Sequence, residues 1–108
     1  IVNDKLMKIM KPGTHLVNIA RGDILDQEAL FENLESGQIS RASLDVVTPE
    51  PLPKGHWLYT DPRVKLSAHI SWASPDFLDQ LHDLFSSNLE KWLSGLPLDG
   101  LVDIKKGY

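Results

Sequence analysis

The sequence contains no cysteine, which excludes disulfides, thiolate metal sites and cysteine nucleophiles and agrees with a reducing, cytoplasmic compartment. No apolar run approaches the roughly 18 residues that a membrane helix needs. Acid and base interrupt the opening IVNDKLMKIM, so it does not read as a signal peptide. Positive charge is scarce: 11 Lys and Arg face 15 Asp and Glu, a formal net charge of -4. A nucleic-acid footprint needs a basic face, so neither nucleic acid nor a membrane is expected as a partner. An initiator methionine is missing too, and the first residues already read as the middle of a fold. The expectation is a piece of a longer polypeptide. What is present, 42% hydrophobic residues over 108 positions, is enough to bury a core without covalent staples.

Hydrophobic periodicity alternates between helical and extended patterns along the chain. Asn3 suits a helix N-cap, because its side-chain oxygen can accept from a free amide of the first turn. Leu6, Met7 and Met10 follow at helical spacing until Pro12-Gly13 stops the segment. His15 to Ile19 predicts a short buried strand, and Ala20 to Asp23 a turn. Asp26 caps a second helix running to about Ser36, with Gly37 as its stop. Ala42 to Val47 predicts a second strand. Four prolines (Pro49, Pro51, Pro53, Pro62) fall between Thr48 and Pro62, which makes that segment a stiffened loop. Val64 to Ala68 predicts a third strand. Ser74 and Pro75 would open the longest helix, Ser as cap and Pro at the first position. Its apolar stripe, from Phe77 to Leu93, is expected to be core. The tail after Gly95 reads as loop.

Strands separated by a helix and a long crossover indicate a parallel sheet of α/β class. In open sheets of that class, ligands bind at the carboxyl ends of the strands. Arg21 follows the first strand, Asp45 lies near the end of the second, His69 follows the third, and Glu50 lies just beyond Asp45. Parallel neighbours would bring a fixed cation, an imidazole and two carboxylates to one edge. Each also has a plainer reading: Arg21 as a surface ion, His69 as a satisfied buried ring, Asp45 as a turn cap, Glu50 as a solvated loop charge. His15, His56 and His82 lack comparable companions and read as structural.

Spacing alone names no reaction, but the combined motifs are specific. The stretch MKPGTHLVNIARGDILDQEALFENLESGQISRASLDVVTPEPLP, followed by VKLSAHISW, resembles the D-isomer-specific 2-hydroxyacid dehydrogenase family over nearly the whole chain. The resemblance implies a partial Rossmann-type parallel sheet with flanking helices, part of a larger two-domain enzyme that uses NAD or NADP. Residues 1–72 would be the later half of its nucleotide-binding domain. Residues 73–108 would be a long crossing helix and a tail returning to the substrate domain. It also implies a homodimeric parent. Arg21 would bind the carboxylate of a small 2-oxo acid, His69 would be the general acid/base, and Glu50 would pair with it. Asp45 would lie beside the nicotinamide carboxamide, and the backbone at Ile19 and Ala20 along the nicotinamide riboside, with Arg21, His69 and Ser71 also at the cofactor.

These roles fit the residue types. A guanidinium grips a carboxylate with two parallel hydrogen bonds, and a protonated imidazole can donate to the oxygen that gains charge as hydride arrives. The closing D-x-x-x-G-Y, Asp103 to Tyr108, resembles glyoxylate and hydroxypyruvate reductases. The family commonly carries Pro-His-Ile-Gly where this chain has Ala68-His69-Ile70-Ser71. Trp72, three residues after the histidine, is similar to the H-x-x-W of corepressor relatives, where the tryptophan lines the substrate pocket. The rival reading is therefore a corepressor-like, nucleotide-sensing interaction protein on the same fold. A third is a structural fragment with its polar residues scattered. No G-x-G-x-x-G occurs in the 108 residues, so the pyrophosphate turn is expected upstream. This chain by itself is expected to be inactive and to need the remainder of its own polypeptide.

Overall fold

The computed structural model describes residues 1–107 and divides into two units, Ile1–Ser71 and the residues from Trp72 onward. Tyr108, which closes the D-x-x-x-G-Y pattern, lies outside the described residues.

The first unit holds helix α1 (Asp4–Ile9), strand β1 (Thr14–Asn18), helix α2 (Gln27–Glu35) and strands β2 (Ile39–Leu44) and β3 (Val64–Leu66). The strands form one parallel sheet in the order β1-β2-β3. Both helix starts follow from their caps. The Leu6 amide donates to Asn3 Oδ1 at 3.0 Å and the Ala29 amide to Asp26 Oδ1 at 2.9 Å, each satisfying an otherwise orphaned donor. Gly37, at φ 76°, takes the left-handed turn that ends α2.

All three strands differ in their limits from the sequence expectation, and β1 is set one residue earlier, Thr14–Asn18 in place of His15 to Ile19. β2 begins at Ile39, not Ala42, because Ser40 and Arg41 lie at an irregularity in the ladder, where Ser40 Oγ donates to the Gly13 carbonyl at 2.7 Å. Polar residues there break the apolar alternation without breaking the strand. β2 and β3 end early, at Leu44 and Leu66, although the Asp45 and Ser67 amides still reach Asn18 and Leu44 carbonyls. The loop from Thr48 to Pro62 is also not wholly irregular, since Trp57–Tyr59 form a 3-10 turn; a separate 3-10 turn, Gly22–Ile24, lies between β1 and α2.

Met7, Leu16, Leu25, Ala29, Leu30, Leu34, Ile39, Ala42 and Leu44 form the core of this unit, with Leu52 and Leu58 anchoring the proline-rich loop in it. The other sheet face is open: Val17 and Ile19 are 60% and 63% exposed.

The second unit consists of helix α3 (Phe77–Leu93) and the tail. The expected cap at Ser74 is not formed. Its carbonyl instead accepts from the Phe77 amide at 3.2 Å in a preceding turn, and Asp76 holds the cap position without a side-chain bond. The tail folds back on α3: the Asp99 amide donates to Asn88 Oδ1 at 2.8 Å, and Lys91 pairs with Asp99. No residue of α3 is buried, so its apolar stripe is not core as expected. One helix with a short tail has no second layer against which to bury it.

Candidate functional site

The carboxyl ends of the three strands carry the candidate residues because a parallel sheet points every such end the same way. β3 delivers His69 after a two-residue step, and the loop beyond β2 returns Glu50 to it: Glu50 Oε1 lies 2.9 Å from His69 Nδ1. Both side chains are 41% exposed, so the pair is reachable from solvent. The contact turns Nδ1 to the carboxylate and so fixes the orientation of the ring.

Asp45 does more than its position in the sequence indicates. Its Oδ1 accepts from Ser67 Oγ at 2.5 Å and the Ile70 amide at 2.9 Å, and its Oδ2 accepts from the Ser71 amide at 2.7 Å. The Ser67 hydroxyl, helped by the Ser71 and Ile70 amides, holds the carboxyl far below the usual carboxylate range against the opposing effect of burial. Those bonds bracket His69, whose backbone sits at φ 55°, a left-handed conformation that costs a non-glycine residue about 1 kcal/mol or more. The buried carboxylate thus fixes the turn that presents the imidazole. The Ser71 side chain bonds the same carboxylate, so with Ser67 and the Ile70 and Ser71 amides it meets about as many donors as a carboxylate can accept.

Asp45 and Glu50 also line a cavity of about 440 Å³ with Val47, Leu66, Ser67 and Ala68. Ile19, Asp45 and Ser71 come together in another of about 320 Å³ against the open sheet face, with Val17 and Lys65. Ala20 follows β1, its amide donating to Asn18 Oδ1 at 3.1 Å. Arg21 stands in the loop after β1, exposed, its guanidinium donating to the Ala20 carbonyl at 2.7 Å. Trp72 opens the second unit, its ring edge-on to Phe77 with centroids 4.9 Å apart. Of the other histidines, His15 bonds Ser43 and His56 accepts from the Leu58 amide, whereas His82 is exposed on α3 beside Asp83.

Gly22 is a residue the sequence reading passed over. A Cβ there would lie 2.1 Å from the Val47 carbonyl oxygen and 2.4 Å from Thr48 Oγ1. The Arg21 loop therefore rests directly on the backbone leading to Glu50. Its place directly after the arginine in a turn was the available signal. Ser67 was missed as well, and its partner, 22 residues away, leaves no trace in local spacing. Among the described residues, no cluster of His, Asp and Glu suits a metal ion.

Comparison with known proteins follows the same residues. A family model described as "D-isomer specific 2-hydroxyacid dehydrogenase, NAD binding domain" matches residues 1–71. Glyoxylate/hydroxypyruvate reductase A of Photorhabdus laumondii is 39% identical over 108 residues, all of this chain and 34% of that protein. Human glyoxylate reductase/hydroxypyruvate reductase is 36% identical over 91% of this chain and 30% of its own. The crystal structure of a NADPH-dependent glyoxylate/hydroxypyruvate reductase from Sinorhizobium meliloti, in complex with NADP and sulfate, superposes with a TM-score of 0.87 at 30% identity, over 100% of this chain and 35% of that one. This chain spans about a third of the length of the curated relatives it matches.

Proposed function

The chain belongs to the D-isomer specific 2-hydroxyacid dehydrogenase family, and from that membership we propose that it forms part of an NAD(P)-dependent oxidoreductase reducing small 2-oxo acids to D-2-hydroxy acids. Residues 1–72 are then the later half of the nucleotide-binding domain, and residues 73–108 the helix and tail that return to the substrate domain. The observation that carries the reading is the Glu50–His69 contact of 2.9 Å at the carboxyl edge of a parallel sheet.

The residues present suit the nicotinamide end of the cofactor. Exposed Val17 and Ile19 offer an apolar platform, and they line one cavity with Asp45 and Ser71, whose polar groups would face the carboxamide there. When bound, the reduced nicotinamide supplies a hydride equivalent. In this proposal Arg21 swings its planar fork from the Ala20 carbonyl to the carboxylate of the oxo acid and so aligns the carbonyl group. As the carbonyl carbon gains hydride, negative charge grows on its oxygen. His69 Nε2 then transfers its proton to that oxygen, while Glu50 at Nδ1 holds the ring and offsets the charge of its protonated form. Oxidation of the hydroxy acid runs the same transfers backwards. From the resemblance of its motif, Trp72 is proposed as a substrate-pocket residue of the complete enzyme.

Glyoxylate or hydroxypyruvate is the proposed substrate, supported by the names of the relatives. The parent is further proposed to be a cytoplasmic homodimer; the absence of cysteine supports the compartment, and the family resemblance supports the dimer. The test is an assay of the full-length polypeptide carrying this chain, with glyoxylate, hydroxypyruvate and pyruvate against NADH and NADPH. Turnover giving the D-hydroxy acid from hydroxypyruvate or pyruvate, or achiral glycolate from glyoxylate, supports the reading. No turnover with any pair, beside nucleotide-dependent association with another protein, would replace it with the corepressor-like alternative.

A further inference from the structure

The loops bearing Arg21 and Glu50 belong to different crossovers, yet three hydrogen bonds and one close approach join them. Gln27, the first residue of α2, places its side-chain amide alongside the backbone of Thr48. Gln27 Nε2 donates to the Thr48 carbonyl at 2.5 Å, and the Thr48 amide donates to Gln27 Oε1 at 3.0 Å. The amide thereby satisfies both main-chain groups of Thr48, as a neighbouring strand would. Thr48 Oγ1 donates to Asp23 Oδ1 at 2.7 Å, and beneath this bond Gly22 admits the Val47 carbonyl where no side chain would fit. Arg21 is covalently next to Gly22, and Glu50 is two residues beyond Thr48. The bonds are local to neither loop, since they span 21 and 25 residues of chain.

From this geometry we infer that Gln27 and Thr48 are positioning residues, a clamp that fixes where Arg21 stands relative to the Glu50–His69 pair. This rests on the oxidoreductase reading, in which a substrate held by its carboxylate must present its carbonyl to the imidazole. Irregular loops carry such groups with less precision than helices or strands unless something holds them. α2 begins within the clamp and lends it the rigidity of the packed core. The side chains of Gln27 and Thr48 touch neither reacting atoms nor the groups that would contact substrate, so their effect runs through Arg21 and Glu50.

The test uses the full-length enzyme with Gln27→Met, which keeps length without hydrogen bonds, and Thr48→Val, which keeps shape without the hydroxyl. Each is expected to raise KM for the 2-oxo acid about tenfold and to lower kcat, with KM for the nicotinamide cofactor within about twofold of wild type. Thr48→Ser, which restores the donor to Asp23, should recover most of the loss. Oxo acid KM and kcat within about twofold of wild type in both variants would overturn the clamp. So would losses in which the cofactor KM rises in parallel and Thr48→Ser gives no recovery, because those report general loosening. If Gln27→Met fails to fold, the Thr48→Val and Thr48→Ser pair decides alone. A wild-type enzyme without turnover removes the oxidoreductase reading and the clamp with it, whereas active wild type beside unaffected variants removes the clamp only.

Discussion

Adding one methyl group at Gly22 tests the seam between the loops that carry Arg21 and Glu50. Gly22 is buried and does not occupy the left-handed region, so alanine there carries no intrinsic backbone strain and the cost is purely steric. The new Cβ would stand 2.1 Å from the Val47 carbonyl oxygen, 2.3 Å from its carbon and 2.4 Å from Thr48 Oγ1. Ordinary contact needs about 3.5 Å, so the two loops must part by more than about 1 Å. Two of the three atoms are backbone, pinned by Gln27, and cannot rotate away. Overpacking of this kind costs about 1–3 kcal/mol. In a protein larger than about 150 residues that lowers Tm by roughly 2–4 °C per kcal/mol. A displacement of about 1 Å between substrate-binding and proton-transferring groups is worth about a hundredfold in rate. Gly22→Ala in the full-length enzyme should therefore lose about two orders of magnitude in kcat/KM for the oxo acid while melting only several degrees lower. Activity within about twofold of wild type would refute the idea that loop contact sets the catalytic geometry.

Asp45→Asn should lower Tm, since an amide cannot accept from Ser67, Ile70 and Ser71 together. Asp45 has a depressed carboxyl pKa in the fold, so its stabilising effect is complete above its ordinary value and is lost as pH falls through the folded one. The Tm gap between wild type and Asp45→Asn should hold from neutrality to about pH 5 and shrink below about pH 4; a gap that stays constant or widens in acid contradicts this. Leu58, 1% exposed beneath the proline-rich loop, should cost about 2–5 kcal/mol in urea unfolding when cut to alanine, and a cost below about 1 kcal/mol would mean the loop is not anchored there. The purified 108-residue chain is expected to show no oxidation of NADH or NADPH with glyoxylate, and measurable turnover would show that the remainder of the polypeptide is dispensable.

Where local chemistry decides, the residues spoke for themselves. Asn3 and Asp26 cap the helices they precede, and Gly37 stops α2. The site was legible to the extent that it follows chain order: parallel strands put Asp45, Glu50 and His69 at one edge, and Glu50 does meet His69. The misses share a cause. β2 was entered late because Ser40 and Arg41 sit at an irregularity that interrupts alternation without ending the ladder. The α3 stripe looked like core because amphipathicity reports that a helix has a face to bury and says nothing about what buries it. Ser67 with Asp45, and Gln27 with Thr48, are contacts between loops far apart in sequence, made by polar residues common in any loop. Only the folded chain shows these bonds, one set beside His69 and the other between the loops of Arg21 and Glu50.

The central claim is that His69, held by Glu50, exchanges the proton that accompanies hydride transfer. Its direct measure is kcat for oxo acid reduction by the full-length enzyme carrying His69→Asn or Glu50→Gln, alongside the dissociation constant of the nicotinamide cofactor. The account predicts that kcat falls by about 10²–10⁴ in His69→Asn, by less in Glu50→Gln, with cofactor binding retained in both. Undiminished kcat in His69→Asn would contradict it.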